Sequence, residues 1–223
     1  MKQQEHPYSF VFLRRLDGPE TIRIHASALK AYEKGFAIRK SGPIALKIQQ
    51  ALIAGGNPVE ADARIFLWLK DQPADVGVRT HLAESYLQAG KNRQATEQYE
   101  LLLQTDPTNG RALNNLAWLC QQQKDPRTLA TAERGYRLDP DNPDMMDTFG
   151  WILVEQGNIS RGLELLKRAA ERTPASTTIL YHRAVALAKA GDKTQARREL
   201  ADLLAKNKKF PERLDAQALL RQL

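Results

Sequence analysis

From Gly42 onward, apolar and small residues recur at helical spacing in blocks separated by short polar turns. One stretch carries Leu82, Ala83 and Tyr86, turns at Gly90, and resumes with Ala95, Tyr99 and Leu102. Another carries Phe149, Gly150 and Leu153, turns at Gly157, and resumes with Gly162, Leu166 and Ala169. An earlier one runs Ile48 and Leu52, turns at Gly56, and continues with Ala61, Ile65 and Trp68. Each ends near a proline: Pro73, Pro107, Pro140, Pro174 and, more loosely, Pro211. Trp118 and Trp151 are 33 residues apart, and so are Pro107 and Pro140. A fixed period of this size marks stacked repeats, in which each helical hairpin buries its apolar face against its neighbours.

The pattern predicts an all-α solenoid of about six helical hairpins closed by a C-terminal capping helix. Five repeats span 42–75, 76–109, 110–142, 143–176 and 177–211. Residues 1–41 form a degenerate N-terminal hairpin. Its first helix includes Tyr8 to Leu13 and ends at Asp17-Gly18, since a strand there would have no partner. Its second runs from about Pro19 to Lys40, with Ile24, Ala28, Ala31, Tyr32 and Phe36 near one face. Residues 212–223 form the cap, with Leu214, Ala218 and Leu219 closing the last core, and the whole is one continuous domain. The turns fit this plan. Gly90, Gly157 and Gly191 take positive φ after a first helix, and the Asn or Asp that follows caps the second helix. Asn57-Pro58, Asp125-Pro126 and Asn142-Pro143 place proline at the first helical position. Lys124-Asp125-Pro126 carries no glycine and shortens its repeat by one residue.

The order of large and small residues, aromatics, turn and closing proline resembles the tetratricopeptide motif over residues 42 to about 211. Departures are Arg183 where the motif has leucine, Gln49 where it has a small residue, and the glycine missing near Lys124. The resemblance implies a right-handed superhelix whose first helices line a concave, partner-binding face. The motif phase puts Gly77, Thr80, Glu84 and Leu87 on that face, then Arg111, Asn114, Trp118 and Gln121. Asp144, Asp147, Trp151 and Val154 follow, and then Thr178, Tyr181, Val185 and Ala188. Trp118 and Trp151 share one position of adjacent repeats. They either offer rings to a partner or pack between neighbouring first helices. Gly150 is expected at the close contact of its hairpin, as are Ala83, Ala117 and Ala184 in theirs. Some tetratricopeptide domains clamp a C-terminal carboxylate with Asn and Lys. Glu84 and Asp144 stand at those places here, and two acids repel such a ligand.

The segments Leu113–Leu119 (LNNLAWL), Asp147–Leu153 (DTFGWIL), Tyr181–Asp192 and Phe210–Leu220 are similar to the C-terminal part of bacterial tetratricopeptide lipoproteins of the PEP-CTERM/exosortase system. That resemblance implies a fragment of a larger exported protein, periplasmic or outer-membrane-associated, acting beside exopolysaccharide and surface-protein sorting. The alternative is a cytoplasmic protein. No signal peptide or lipid-anchor cysteine of that kind is seen, so membrane attachment is expected only through an anchor absent from this chain.

Composition adds limits. No run approaches the ~20 apolar residues of a membrane span. The single cysteine, Cys120, takes the place of Tyr86 and Leu153 and is expected in the core. The net charge is +7, with Arg197, Arg198, Lys206, Lys208, Lys209, Arg213 and Arg221 clustered late. Such an excess attracts anionic partners, although no interleaved aromatics provide a base-stacking platform. His6, His25, His81 and His182 show no metal-ligand spacing, no phosphate loop or nucleophile elbow is found, and no cofactor, metal or small-molecule substrate is expected. The expected function is a non-enzymatic scaffold binding a protein or peptide in the groove. The alternative is an anionic polymer, polysaccharide or nucleic acid, held by the basic C-terminal third, with nucleic acid disfavoured.

Overall fold

The computed structural model describes residues 19–223, with side chains from residue 25. The expected helix across Tyr8–Leu13 and ending at Asp17-Gly18 lies outside the described residues. Every regular element among those described is an α-helix: α1 (Pro19–Ile38), α2 (Gly42–Ala54), α3 (Pro58–Asp71), α4 (Val76–Gln88), α5 (Asn92–Thr105), α6 (Gly110–Gln123), α7 (Thr128–Leu138), α8 (Pro143–Glu155), α9 (Ile159–Arg172), α10 (Thr177–Lys189), α11 (Lys193–Lys206) and α12 (Arg213–Gln222). Helices α2 to α11 pair as five successive hairpins, and each first helix begins where a sequence period begins. By contact the helices gather into two compact units, one ending at Pro107 and one beginning at Thr108. The sequence pattern had drawn a single array across that point.

In the first unit, α1 covers the opening hairpin. Leu29, Tyr32 and Phe36 pack on Ile48, Leu52 and Ala61. Trp68 on α3 meets Phe36 edge-on, with ring centroids 5.8 Å apart, and donates its indole N–H to Asp75 Oδ2 at 2.8 Å. Asp75 Oδ1 meanwhile caps α4 by accepting from the Val78 amide. Arg79 is buried, and neutral acceptors hold it: Gln98 Oε1 at 3.1 Å and the Pro73 carbonyl at 2.9 Å. Burial lowers its pKa from the ordinary value. Gln49, where the motif has a small residue, is fully buried, and neither atom of its amide group finds a partner among the described residues.

The second unit is built on close helix approach. A Cβ added to Gly150 would lie 3.0 Å from the Gly162 carbonyl oxygen and 3.1 Å from Leu165 Cβ and Leu166 Cγ. One added to Gly162 would stand 2.6 Å from the Gly150 carbonyl oxygen. The two glycines therefore let the backbones of α8 and α9 touch. Ala117 and Ala184 are likewise fully buried in their hairpins, as Ala83 is in the first unit, and Cys120 is buried. Arg183, replacing a leucine, turns its guanidinium to Glu199 of α11, with Nε donating to Oε2 at 2.8 Å. That pairing avoids the cost of an unpaired buried charge.

Some expectations are corrected. Second helices are not generally capped by the Asn or Asp after the turn. Only Asp192 does so, accepting from the Gln195 amide, whereas Asn57 and Asn158 make no side-chain cap and Asn92 lies inside α5. The junctions close instead through backbone bonds reaching five residues back, such as Asn57 N–H to the Leu52 carbonyl and Asn158 N–H to that of Leu153. Side-chain caps gather on first helices, at Asp75, Asn109, Asn142 and Ser176. Pro126 is not the first residue of α7, which starts at Thr128. Asp125 accepts from the Arg127 amide at 2.8 Å and holds an extra turn there. Lys124 supplies the left-handed residue (φ 55°) that glycine provides at the other hairpin turns. Leu214 of the cap is exposed. Ala216 is buried there instead, with Leu219, Leu220 and Leu223 packed around it, because these share the face of α12 turned to Ala184 and Leu200.

Candidate functional site

In the second unit, α6, α8, α10 and the entry to α12 surround an open cavity of about 580 Å³. Helix α6 lends Asn114, Asn115, Trp118, Gln121 and Gln122, the stripe opposite its buried Leu113, Leu116 and Cys120. Helix α8 lends Asp144, Asp147, Thr148, Trp151 and Ile152 at the same spacing. Helix α10 lends Thr177 to Ile179, Tyr181 and His182, and the last segment adds Pro211, Glu212 and Asp215. The period places corresponding positions of successive first helices side by side, so one turn chemistry repeated three times makes one wall.

Eight residues expected on the concave face meet here: Asn114, Trp118, Gln121, Asp144, Asp147, Trp151, Thr178 and Tyr181. Arg111 does not line the cavity. It is exposed in the first turn of α6, short of the wall. Thr80 and Glu84 sit half-buried on α4 of the other unit and take no part in it. Val154 and Val185, also assigned inward, are buried: Val154 packs against Leu166 and Ala186, because the concave stripe narrows toward the helix end. Neither tryptophan is fully buried. Trp151 lines the cavity and also packs between first helices, stacking on His182 with centroids 4.2 Å apart and planes 15° from parallel.

His182 is the residue the sequence reading missed. Its Nδ1 lies 2.8 Å from Asp147 Oδ1 across the α8–α10 interface. Burial, the largest influence, disfavours the imidazolium. The Asp147 charge and hydrogen bond, with Glu212 and Glu155 beyond, outweigh it and raise the pKa above the ordinary value. The available signal was positional: Asp147 and His182 stand at the fifth and sixth places of consecutive repeats. Glu212 Oε1 accepts from the Thr178 hydroxyl at 3.0 Å, while its Oε2 is buried without a hydrogen-bond partner among the described residues. Tyr181 reports the same field. Burial, then Asp215, Glu212 and Glu155, push its phenol up to about 12.

Four carboxylates thus line the cavity, and no lysine or arginine is among its lining residues, in a chain whose net charge is +7. The late basic residues lie elsewhere. Arg197 and Arg198 are exposed on α11, Lys206 pairs with Asp202, and Arg213 donates to the carbonyls of Leu204 and Asn207. Among the described residues no group of His, Cys, Asp and Glu is arranged to hold a metal ion, and no helix is long and apolar enough to cross a membrane.

The sequence profile of the tetratricopeptide repeat matches residues 81–143 and 148–222. The chain belongs to the tetratricopeptide repeat family. A curated relative, the TPR repeat-containing protein PA4667 of Pseudomonas aeruginosa, is 28% identical over 115 residues, covering 48% of this chain. The match spans only 18% of that protein's length. Among solved structures, the fold is similar to PilF of Pseudomonas aeruginosa (TM-score 0.68, 15% identity, 89% of this chain and 96% of that one). It is also similar to YrrB, described as a TPR protein with an unusual peptide-binding site (TM-score 0.65, 17% identity, 86% and 100%). The type IV pilus biogenesis factor PilW is a third (TM-score 0.65, 21% identity, 80% and 82%). At these identities the likeness is one of fold. Asp144, which stands where the clamp resemblance expects a lysine, is among the residues lining the cavity.

Proposed function

We propose that this chain is a non-enzymatic scaffold that binds an extended segment of a partner protein in the cavity of its second unit. The observation that carries the reading is the meeting of Trp118, Trp151 and Tyr181 with Asn114, Gln121, Asp144 and Asp147 on one concave wall. Aromatic rings supply contact area at small entropic cost, and amides and carboxylates pair with a partner's backbone N–H groups. A cavity of about 580 Å³ falls in the usual range for bound ligands, ~300–1,000 Å³. The peptide-binding site named for YrrB supports a binding rather than a catalytic role, and PilW, named as a type IV pilus biogenesis factor, is compatible with it. A photo-crosslinking amino acid at Gln122, on the cavity, tests this against one at Gln88, exposed on α4. Adducts from position 122 that vanish with Trp151→Ala, and none from position 88, are expected. The reverse pattern overturns the assignment.

We further propose that the scaffold works in the bacterial cell envelope, in exopolysaccharide or surface-protein sorting. The segments similar to the PEP-CTERM-system lipoproteins support this placement. Fractionation of the producing bacterium tests it. Recovery with envelope fractions is expected, and recovery only with cytosol overturns it.

A further inference from the structure

We infer that the cavity selects a basic segment, an extended peptide of a partner protein that lays a lysine or arginine side chain between the Trp118 and Trp151 rings and the carboxylates of Asp144 and Glu212. This rests on the proposed role of the cavity and adds the chemistry of its occupant.

Charge is the first support. The lining holds four carboxylates and no lysine or arginine, while the chain as a whole carries +7. The one basic side chain on the lining, His182, is paired with Asp147, whereas lysines and arginines are plentiful elsewhere in the chain. A concave site lined by one sign of charge concentrates its field and attracts the opposite sign. Glu212 is the second support. One oxygen is satisfied by Thr178, and the other is buried without a donor among the described residues. A stranded carboxylate oxygen is costly, and a cation nearby offsets that cost through the field. The Tyr181 phenol, pushed up to about 12 first by burial and then by Asp215 and Glu212, registers that field on another side chain of the same wall. The rings are the third support. The face of a tryptophan attracts ammonium and, more often, guanidinium groups within about 6 Å. Trp151 is held flat by its stack on His182, itself fixed by Asp147, so the platform is set before a ligand arrives. An acidic segment, or a free C-terminal carboxylate, meets repulsion at the same wall.

A library of short random peptides selected on the full chain tests the inference. Each enriched peptide is re-measured on Trp118→Ala/Trp151→Ala and on Asp144→Asn/Glu212→Gln. The second pair keeps the rings and alters only charge, so it reports even where removal of the rings disturbs folding. Enrichment of lysine- and arginine-bearing peptides that weaken roughly tenfold or more on Asp144→Asn/Glu212→Gln is expected. Exchange of the basic residue for glutamine should reproduce that loss. Peptides that need the tryptophans but are neutral or acidic would overturn the basic selectivity and leave the binding role of the cavity standing. Peptides indifferent to both variant pairs, or no enrichment, would overturn both.

Discussion

The two units use the same residue types for different ends. Up to Pro107, tryptophan and aspartate meet in a half-buried contact between helices: Trp68 on a second helix is fastened to Asp75, which also caps the next helix. From Thr108 on, Trp118 and Trp151 sit on first helices beside Asp144 and Asp147, and all four face an open cavity. Composition does not separate these roles. The helix within the hairpin does: α3 turns Trp68 toward Phe36 and Asp75, although Phe66 and Leu67 beside it are exposed, while α6 and α8 turn the stripe that carries Trp118 and Trp151 to the cavity. At the place in the motif held by Trp118 and Trp151, the first unit's α4 has Glu84, and no pair of adjacent rings forms on that helix.

The largest effect is expected where the second unit is tightest. Gly150→Leu should cost about 3 kcal/mol, the upper end for overpacking, because the new side chain meets the Gly162 backbone as well as side chains. An unchanged urea midpoint would show that the motif phase is misassigned. In the first unit, Trp68→Ala should cost roughly 2 kcal/mol by removing the Phe36 contact and the Asp75 bond. Its stability loss should come without loss of peptide binding, and binding lost with stability kept would erase the contrast between the units.

A smaller, pH-dependent effect is expected at Asp147. The folded pKa of His182 is raised, so the charged pair contributes fully below the unfolded histidine value of about 6.5 and fades as pH rises through the folded one. Asp147→Asn should therefore cost roughly 1 kcal/mol near pH 5.5 and less near pH 9. Equal costs at both would mean that the imidazole stays neutral. The smallest effect is a gain. Lys124 holds a left-handed conformation that glycine tolerates better, so Lys124→Gly should raise stability by about 0.5–1 kcal/mol, less the added freedom of the unfolded chain. A fall in the thermal midpoint would show that the lysine side chain compensates for its backbone.

The helices were legible because each buries one stripe, and the stripe is written in spacing. Gly150 and Arg183 were legible for a related reason. At a known contact position, a residue that cannot pack must either leave space for backbone or find a partner, and Gly162 and Glu199 answer those two needs. The cavity was legible only along each helix. Phase gave Asn114, Trp118, Asp147 and Trp151, because they recur on one face. It also placed Arg111, Thr80 and Glu84 on that face, since phase does not say where along the array a wall closes into a cavity. His182 and Glu212 were missed because their roles arise across helices, from Asp147 thirty-five residues away and from the last segment folding back to Thr178. Hydrophobic spacing carries no record of such polar pairings.

The central claim is that Trp118 and Trp151 are binding residues while Trp68 is a packing residue. The dissociation constant of a selected peptide, measured on Trp118→Ala/Trp151→Ala and on Trp68→Ala with helix content followed by circular dichroism, tests it directly. The double variant should lose about 2 kcal/mol or more of binding with its helices intact, and Trp68→Ala should bind as the parent does. A double variant that unfolds, yet binds normally once refolded, would contradict the account.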